Sequence, residues 1–259
     1  MVAGMPQFEM PRSDEPFDFR RQASTYGRWR RDYSTALYAA IEARAGAGAG
    51  RLAVDVGCGT GFVTTSLAAR GWRAAGVDFS APMLAAARGA SGPLGFVRAR
   101  AEALAFADGR AALVTCGTAF HWFTHAPTLA EFRRVLAPGG WAALFWRYPL
   151  SDQPYMRCVA EVCARFGRTM PDGDVYVHPP APFAGSGLEA TPAQCIESVL
   201  AFTPESFHGY ISTVELIRRL MGDAHAPFLD ALAVELRRRW PGGFEERNRE
   251  FLFLARKPS

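Results

Sequence analysis

The chain has 259 residues, 49% hydrophobic and 21% charged, a balance suited to folding around an apolar core rather than to disorder. Its net charge of +4 comes from arginines scattered among alanines and glycines, Lys257 being the one lysine among 29 basic residues. That scatter argues against a nucleic-acid groove, which needs basic residues gathered on one face. Five cysteines without paired or Cys/His spacing, and no apolar run near membrane-spanning length, point to reduced thiols, no bound metal, no membrane span and a cytoplasmic location.

Residues 1–16, rich in Pro, Met and acidic side chains, read as a flexible tail. From Phe17 to Arg44, the residues Tyr26, Trp29, Tyr33, Leu37, Tyr38 and Ile41 recur at three- and four-residue spacing, the period of one or two helices. Residues 17–50 are expected to form a helical lid closed by the flexible joint GAGAG at 46–50. Strand and helix patterns then alternate. Strands are predicted at Leu52–Val56, Ala74–Asp78, Leu94–Arg98, Ala112–Cys116 and Trp141–Trp146, with helices at Phe62–Arg70, Ala81–Arg88 and Thr128–Leu136 and a turn at Pro138-Gly-Gly. The pattern predicts an α/β, Rossmann-like doubly wound, mostly parallel sheet, with a nucleoside-binding core at 51–149. Beyond Arg147 the rhythm breaks into a helix at Met156–Phe166, a Pro/Gly-rich loop at 171–187, a strand at Ile196–Phe202, helices at Pro204–Leu220 and Pro227–Trp240, and a last strand at Glu250–Ala255. Residues 150–259 are therefore expected to supply a helical cap and the final strands.

The stretch LAVDVGCGTG brings Asp55, Gly57, Gly59 and Gly61 to the end of the first strand. A dinucleotide fingerprint spaces its glycines G-x-G-x-x-G to bring a helix N-terminus against pyrophosphate. Here the spacing is G-x-G-x-G and an acid precedes it, which suits a ligand carrying positive charge. Asp78 ends the second strand, where a carboxylate can accept from ribose hydroxyls, and Phe79 beside it can lie against a base.

VDVGCGTG followed by VDFS resembles the first motif and the next acidic strand end of class I S-adenosylmethionine (SAM)-dependent methyltransferases. FVRARAEALAF (96–106), AFHWF (119–123), FRRVLAPGGWAALF (132–145) and the terminal FLFLARKP fit the same group, and the segment from Phe17 to Tyr33 is similar to the branch of trans-aconitate methyltransferase-like proteins. The resemblance implies a seven-stranded sheet whose last strand is antiparallel, with SAM as cofactor and its demethylated product S-adenosylhomocysteine (SAH). It places Asp55 beside the methionine end and lets the backbone at Gly57, Cys58 and Gly59 approach it. Asp78 would hold the ribose, Phe79 and Met83 would flank adenine, and Ala101 and Glu102 would meet its edge. Thr118 would neighbour the sulfonium. Arg100 stands where many relatives have Asp or Asn, and Ala112 where an Asp is frequent.

Tyr26 and Arg30 are expected to close over the cofactor, with Arg30 on its carboxylate; a solvated Arg30 on an amphipathic helix is the alternative. His121 is the candidate general base, since its ordinary pKa suits neutral pH; its other role is as part of the cofactor wall, with Trp122 and Phe123 packing beside it. Trp146, Arg147, His208 and Tyr210 are candidates for the acceptor site. Methyl transfer needs chiefly an acceptor atom held in line, and a base only where that atom is protonated at neutral pH. The expected function is transfer of a methyl group to O or N of a small molecule, such as a secondary metabolite or carboxylic acid, by a monomer or homodimer. A SAM-assisted step without methylation, such as a cyclisation, and a non-catalytic SAM-binding module are the alternatives.

Overall fold

The computed structural model describes residues 19–91, 95–171, 178–179 and 181–259. The expected tail at 1–16 and residues 172–177 and 180 of the expected loop at 171–187 lie outside them. The chain opens with α1 (Phe19–Trp29) and α2 (Thr35–Ala45). There follow β1 (Leu52–Val56), α3 (Phe62–Ala69), β2 (Arg73–Asp78), α4 (Ala81–Ser91), β3 (Gly95–Arg98), β4 (Ala111–Gly117), α5 (His125–Val135) and β5 (Leu136–Pro149). The C-terminal part contains α6 (Pro154–Arg165), β6 (Glu189–Ala190), β7 (Gln194–Phe202), α7 (Pro204–Ser212), α8 (Glu215–Met221), α9 (His225–Arg239) and β8 (Phe244–Arg256).

The strands form a single sheet in the order β3-β2-β1-β4-β5-β8, with β6 and β7 both paired to the outer side of β8. β1 to β5 are mutually parallel, and β8 runs antiparallel to β5. Glu189 pairs with Arg256 while Gln194 pairs with Leu252, so β6 and β7 lie end to end along β8 and share one position in the sheet. The eight strand segments thus fill the seven positions expected from the sequence.

The predicted turn at Pro138-Gly-Gly is absorbed into a strand of 14 residues. Gly139 takes a left-handed φ of 75°, and the register against β4 slips between Ala111 and Leu113. The break is a bulge.

The two faces of the sheet differ in cover. α2 and α3 place Leu37, Tyr38, Ile41, Val63 and Leu67 against one face, and α5 places Leu129, Phe132 and Val135 against the other. Ser34 starts α2 by accepting from the Leu37 N–H. Leu37 and Ile41 are wholly buried, each worth about 1.5–3 kcal/mol, so α2 is a fixed layer of the core and not part of a cover. α6 to α9 bury a separate cluster that includes Tyr155, Phe207, Phe228 and Leu236, and α1 packs against α4 and α7. Sequence order reverses between β1 and β4, which neighbour each other while β2 and β5 extend the sheet in opposite directions. A crevice at the carboxyl ends of strands at such a point is where open α/β sheets bind ligands.

Candidate functional site

At the end of β1 the backbone N–H groups of Gly57 and Cys58 both donate to the Val77 carbonyl, at 2.8 and 3.0 Å, tying the turn to β2. Gly57 has φ of 71°, and a Cβ there would come within 2.6 Å of Ala119 Cβ and 2.9 Å of Phe123 Cζ. Gly59 has φ of 53°, and a Cβ there would meet nothing within 4 Å. The first glycine is required by packing; the second leaves bare backbone facing open space. Between them Cys58 is a buried side chain whose thiol is pushed up by burial and by Asp55, a filler of the turn and not a nucleophile. Next in the turn, the Thr60 hydroxyl is buried without a hydrogen-bond partner among the described residues. An orphaned hydroxyl beside open backbone is a group left for a ligand or water.

Asp55 is 1% exposed. Its Oδ2 accepts from Thr64 Oγ1 at 2.7 Å and its Oδ1 from Thr115 Oγ1 at 3.0 Å. Burial pushes the carboxyl up to about 7, against the pull of both hydroxyls. Asp78 sits at the end of β2, with Oδ2 accepting from the Gly59 N–H at 2.9 Å and Oδ1 from the Ser80 N–H at 2.8 Å. These bonds orient the carboxylate and leave each oxygen capacity to accept another.

Both aspartates line a cavity of about 1280 Å³ that runs over the carboxyl ends of β1, β2, β4 and β5. Of the residues singled out in the sequence, Tyr26, Arg30, Gly57, Cys58, Gly59, Phe79, Met83, Ala101, Thr118, His121, Arg147 and Tyr210 also line it. Phe79 is 54% exposed, an aromatic face at the mouth. Thr118, at the end of β4, holds a left-handed φ of 47°, a costly conformation for a β-branched residue and one that clusters at functional sites. Its N–H donates to the Phe145 carbonyl at 2.8 Å, and its hydroxyl shares a 2.6 Å hydrogen bond with Tyr33. Tyr33 is wedged edge-on to Phe145 and under the Arg147 guanidinium.

Arg30 is partly buried on the lid side. Its Nε donates to Thr213 Oγ1 at 2.9 Å and its Nη2 to the Thr213 carbonyl at 2.8 Å, and its guanidinium lies over the rings of Tyr26 and Tyr210. The end of α1 is thereby tied to the end of α7, and Arg30 is a held and not a solvated side chain.

Four of the expected site residues have partners or positions that the sequence does not show. Glu102 is not on the cavity wall: its Oε1 accepts from the Thr124 N–H at 3.0 Å and it pairs with Arg100 at 3.4 Å. The replacement of the frequent Asp or Asn by Arg100 supplies that competing partner. Trp146 is wholly buried in the core and lines no acceptor site; its indole N–H donates to His121 Nδ1 at 3.2 Å. His208 does not line the cavity, whereas Tyr210, two residues on, does; the helical turn of α7 carries the two side chains to different sides.

The fourth concerns His121. An indole can only donate, so Nδ1 must accept, and the neutral ring then carries its proton on Nε2. Burial lowers the imidazole pKa to about 4, helped by nearby His125. In this state His121 stands in the cavity wall, its second expected role, with Nε2–H as a donor. Arg147 does reach the cavity, but its guanidinium is bound to Glu250, at 2.7 Å, and to the carbonyls of Arg31 and Asp32. Tyr33, Thr60, Arg31 and Glu250 were not singled out for the site. For Thr60 the signal was available, as it stands beside the third glycine of the turn.

An adenosyl ligand with a cationic amino-acid arm fits this wall. Asp78 offers acceptors for sugar hydroxyls, Phe79 an aromatic face, Gly59 a free approach, Thr60 an unpartnered hydroxyl, and no bulky side chain plugs the turn. Among the described residues no group of His, Cys, Asp and Glu is placed to hold a metal, and no helix is long and apolar enough to cross a membrane.

Comparison with known proteins agrees with the geometry. Residues 54–144 match the family model described as methyltransferase domain. An uncharacterised methyltransferase of Mycobacterium tuberculosis is 32% identical over 124 residues, 48% of this chain and 51% of that one. The chain thus spans about half the length of the curated relatives it matches. In fold it is similar to a proposed type II methyltransferase of Anaeromyxobacter dehalogenans, with a TM-score of 0.64 at 22% identity, covering 88% of this chain and 97% of that one. It is also similar to the 4+2 cyclase SpnF, with a TM-score of 0.51 at 17% identity, covering 88% and 84%. Residues 54–144 thus match a methyltransferase domain, and the fold around them is similar to that of solved methyltransferases.

Proposed function

We propose that the protein transfers a methyl group from SAM to an O or N atom of a small-molecule acceptor. The observation that carries this reading is the single cavity of about 1280 Å³, larger than the roughly 300–1,000 Å³ of an ordinary small-ligand pocket and so roomy enough for a cofactor and an acceptor together. Its floor is the bare glycine turn, and its far wall is formed by lid and cap.

SAM, when bound, supplies an electrophilic methyl group. On this reading Asp78 binds sugar hydroxyls, Phe79, Met83 and Ala101 enclose the base, and Gly57, Cys58, Gly59 and Thr60 receive the amino-acid arm, with Asp55 beneath and Tyr26 and Arg30 above. Tyr33 and Thr118 orient the acceptor at the end of β4. His121 offers its Nε2–H to a neighbouring oxygen or to the cofactor wall. The lid and cap exclude water, which would otherwise compete as acceptor. With His121 held as a donor, the arrangement suits acceptors that are nucleophilic without losing a proton first, such as carboxylates and free amines.

The similarity to a cyclase favours a second reading, in which SAM is bound but no methyl moves. Incubation with methyl-labelled SAM and a small-molecule extract separates the two. Label should enter a small molecule, and not tRNA or protein; SAM binding with no labelled product from any fraction would leave only the second reading.

A further inference from the structure

The charge on the cavity wall is uneven. Asp55 and Asp78 stand at the end where the glycine turn lies, while Arg30, Arg31, Arg147 and Arg219 line the lid and cap side. Two of these four are already neutralised. Arg147 is paired with Glu250 at 2.7 Å, and Arg219 with Glu215 at 2.5 Å. Glu215, the carboxylate on that wall, is itself taken by two guanidiniums, since Arg218 also binds it at 2.8 Å. Arg30 and Arg31 are left without a carboxylate partner among the described residues. The dipoles of Thr213 and the faces of Tyr26 and Tyr210 surround the first, and the second lies 5.8 Å over the Phe202 ring.

The remaining carboxyl within electrostatic reach of Arg30 is Glu246 on β8. It is 1% exposed, its Oε1 has no hydrogen-bond partner among the described residues, and burial raises its pKa against the pull of Arg147 and Arg30. It faces Arg30 and leaves Arg31 without a carboxylate partner among the described residues. A partly buried guanidinium without a counter-charge is costly, and an anionic ligand removes that cost with short, charge-assisted hydrogen bonds. Beside the pair Tyr210 and Val214 add aromatic and apolar wall, and Phe202 lies buried under Arg31.

We propose that the methyl acceptor is an anion, a carboxylate or a phosphate with an apolar body, whose charged head is held by Arg31 at the cap end of the cavity, Arg30 being left to the carboxylate of the cofactor's amino-acid arm. This rests on the methyl-transfer reading and narrows it to one class of acceptor. Arg31 sets specificity by matching the head's charge, and the apolar wall takes the rest of the molecule.

The test is isothermal titration of the full chain saturated with SAH, using three probes of one length: hexanoate, monohexyl phosphate and neutral hexanamide. Hexanoate or hexyl phosphate should bind at least tenfold more tightly than hexanamide, and the tighter of the two identifies the head group. Arg31→Gln should lose about tenfold of that preference while SAH affinity stays unchanged, which also reports that the variant is folded; Arg31→Lys should keep part of it. Equal affinity for all three probes, binding of none, or an Arg31→Gln variant that keeps the preference would overturn the proposal while leaving the cofactor reading in place. Failure of SAH itself to bind would remove both.

Discussion

Arg147 and Glu250 face each other directly across the antiparallel β5–β8 ladder and form an ion pair at 2.7 Å, with side chains 11% and 0% exposed. Glu250 also accepts from the Ser34 backbone N–H at 3.1 Å and from the Ser34 hydroxyl at 2.5 Å, while Arg147 donates to the carbonyls of Arg31 and Asp32. The pair fastens the segment between α1 and α2 to the sheet, directly beside the cavity. Removing one partner strands a buried charge, at about 3–5 kcal/mol, whereas replacing both by apolar groups costs far less. Glu250→Gln should therefore lower unfolding stability by roughly that amount in urea titrations, and a double Arg147→Met, Glu250→Leu variant should recover most of it. A Glu250→Gln loss below about 1 kcal/mol would show that the pair is already solvated.

The glycine turn separates folding from binding. Gly57→Ala places a Cβ 2.6 Å from Ala119 and should destabilise the fold outright, by about 1–3 kcal/mol from overpacking and left-handed strain together. Gly59→Ala meets open space and should cost only about 1 kcal/mol of stability while abolishing SAH binding, since its methyl group would occupy the ligand's path. The check is thermal unfolding beside calorimetric SAH titration for both variants; intact SAH affinity in Gly59→Ala would show that the ligand does not approach the turn.

Asp55 gives the site a proton linkage. Its carboxyl is raised to about 7 by burial, above an unfolded value near 3.9. Its contribution to stability is complete below about pH 4 and is lost as pH rises through about 7, where the buried group must ionise. A cationic ligand reverses that preference. SAM binding at pH 7 should release a fraction of a proton, read as a heat that depends on the buffer's ionisation enthalpy. In Asp55→Asn the release should vanish, and the destabilisation that Asp55 adds as pH rises from about 4 to about 7 should be absent. Buffer-independent heats in the wild type would count against this.

The histidines work in the opposite direction. His121 and His178 are both lowered to about 4 by burial; the second shares a 3.0 Å hydrogen bond with the Tyr148 hydroxyl. Being neutral in the fold, they cost nothing above the unfolded value near 6.5, and stability falls as pH drops from there toward 4. As pH drops over that window, the melting temperature of His178→Gln should fall less, or rise more, than that of the wild type. Turnover should show no inflection near pH 6.5 from His121. Trp146→Phe removes the donor that fixes the ring's tautomer and should raise the His121 pKa, visible as a downfield-shifting imidazole proton titrating above 4 by NMR.

Much of the molecule is legible in short stretches of sequence. The alternation of apolar runs and helical periods sets the parallel sheet, and VDVGCGTG with VDFS sets the turn and the two aspartates, because a glycine's left-handed φ and a strand end's carboxylate are local properties. What the tertiary structure decided are the pairings between distant residues. Arg147 meets Glu250 and Tyr33 meets Thr118 only because β8 inserts antiparallel beside β5 and because α2 packs on the same face. The same packing aims Trp146 at His121 and ties the Glu102 carboxylate to the Thr124 backbone N–H. It also brings Arg31 to the cavity wall with no carboxylate partner among the described residues. No period or turn encodes these, since each depends on which faces of separate layers come into contact once the sheet is assembled.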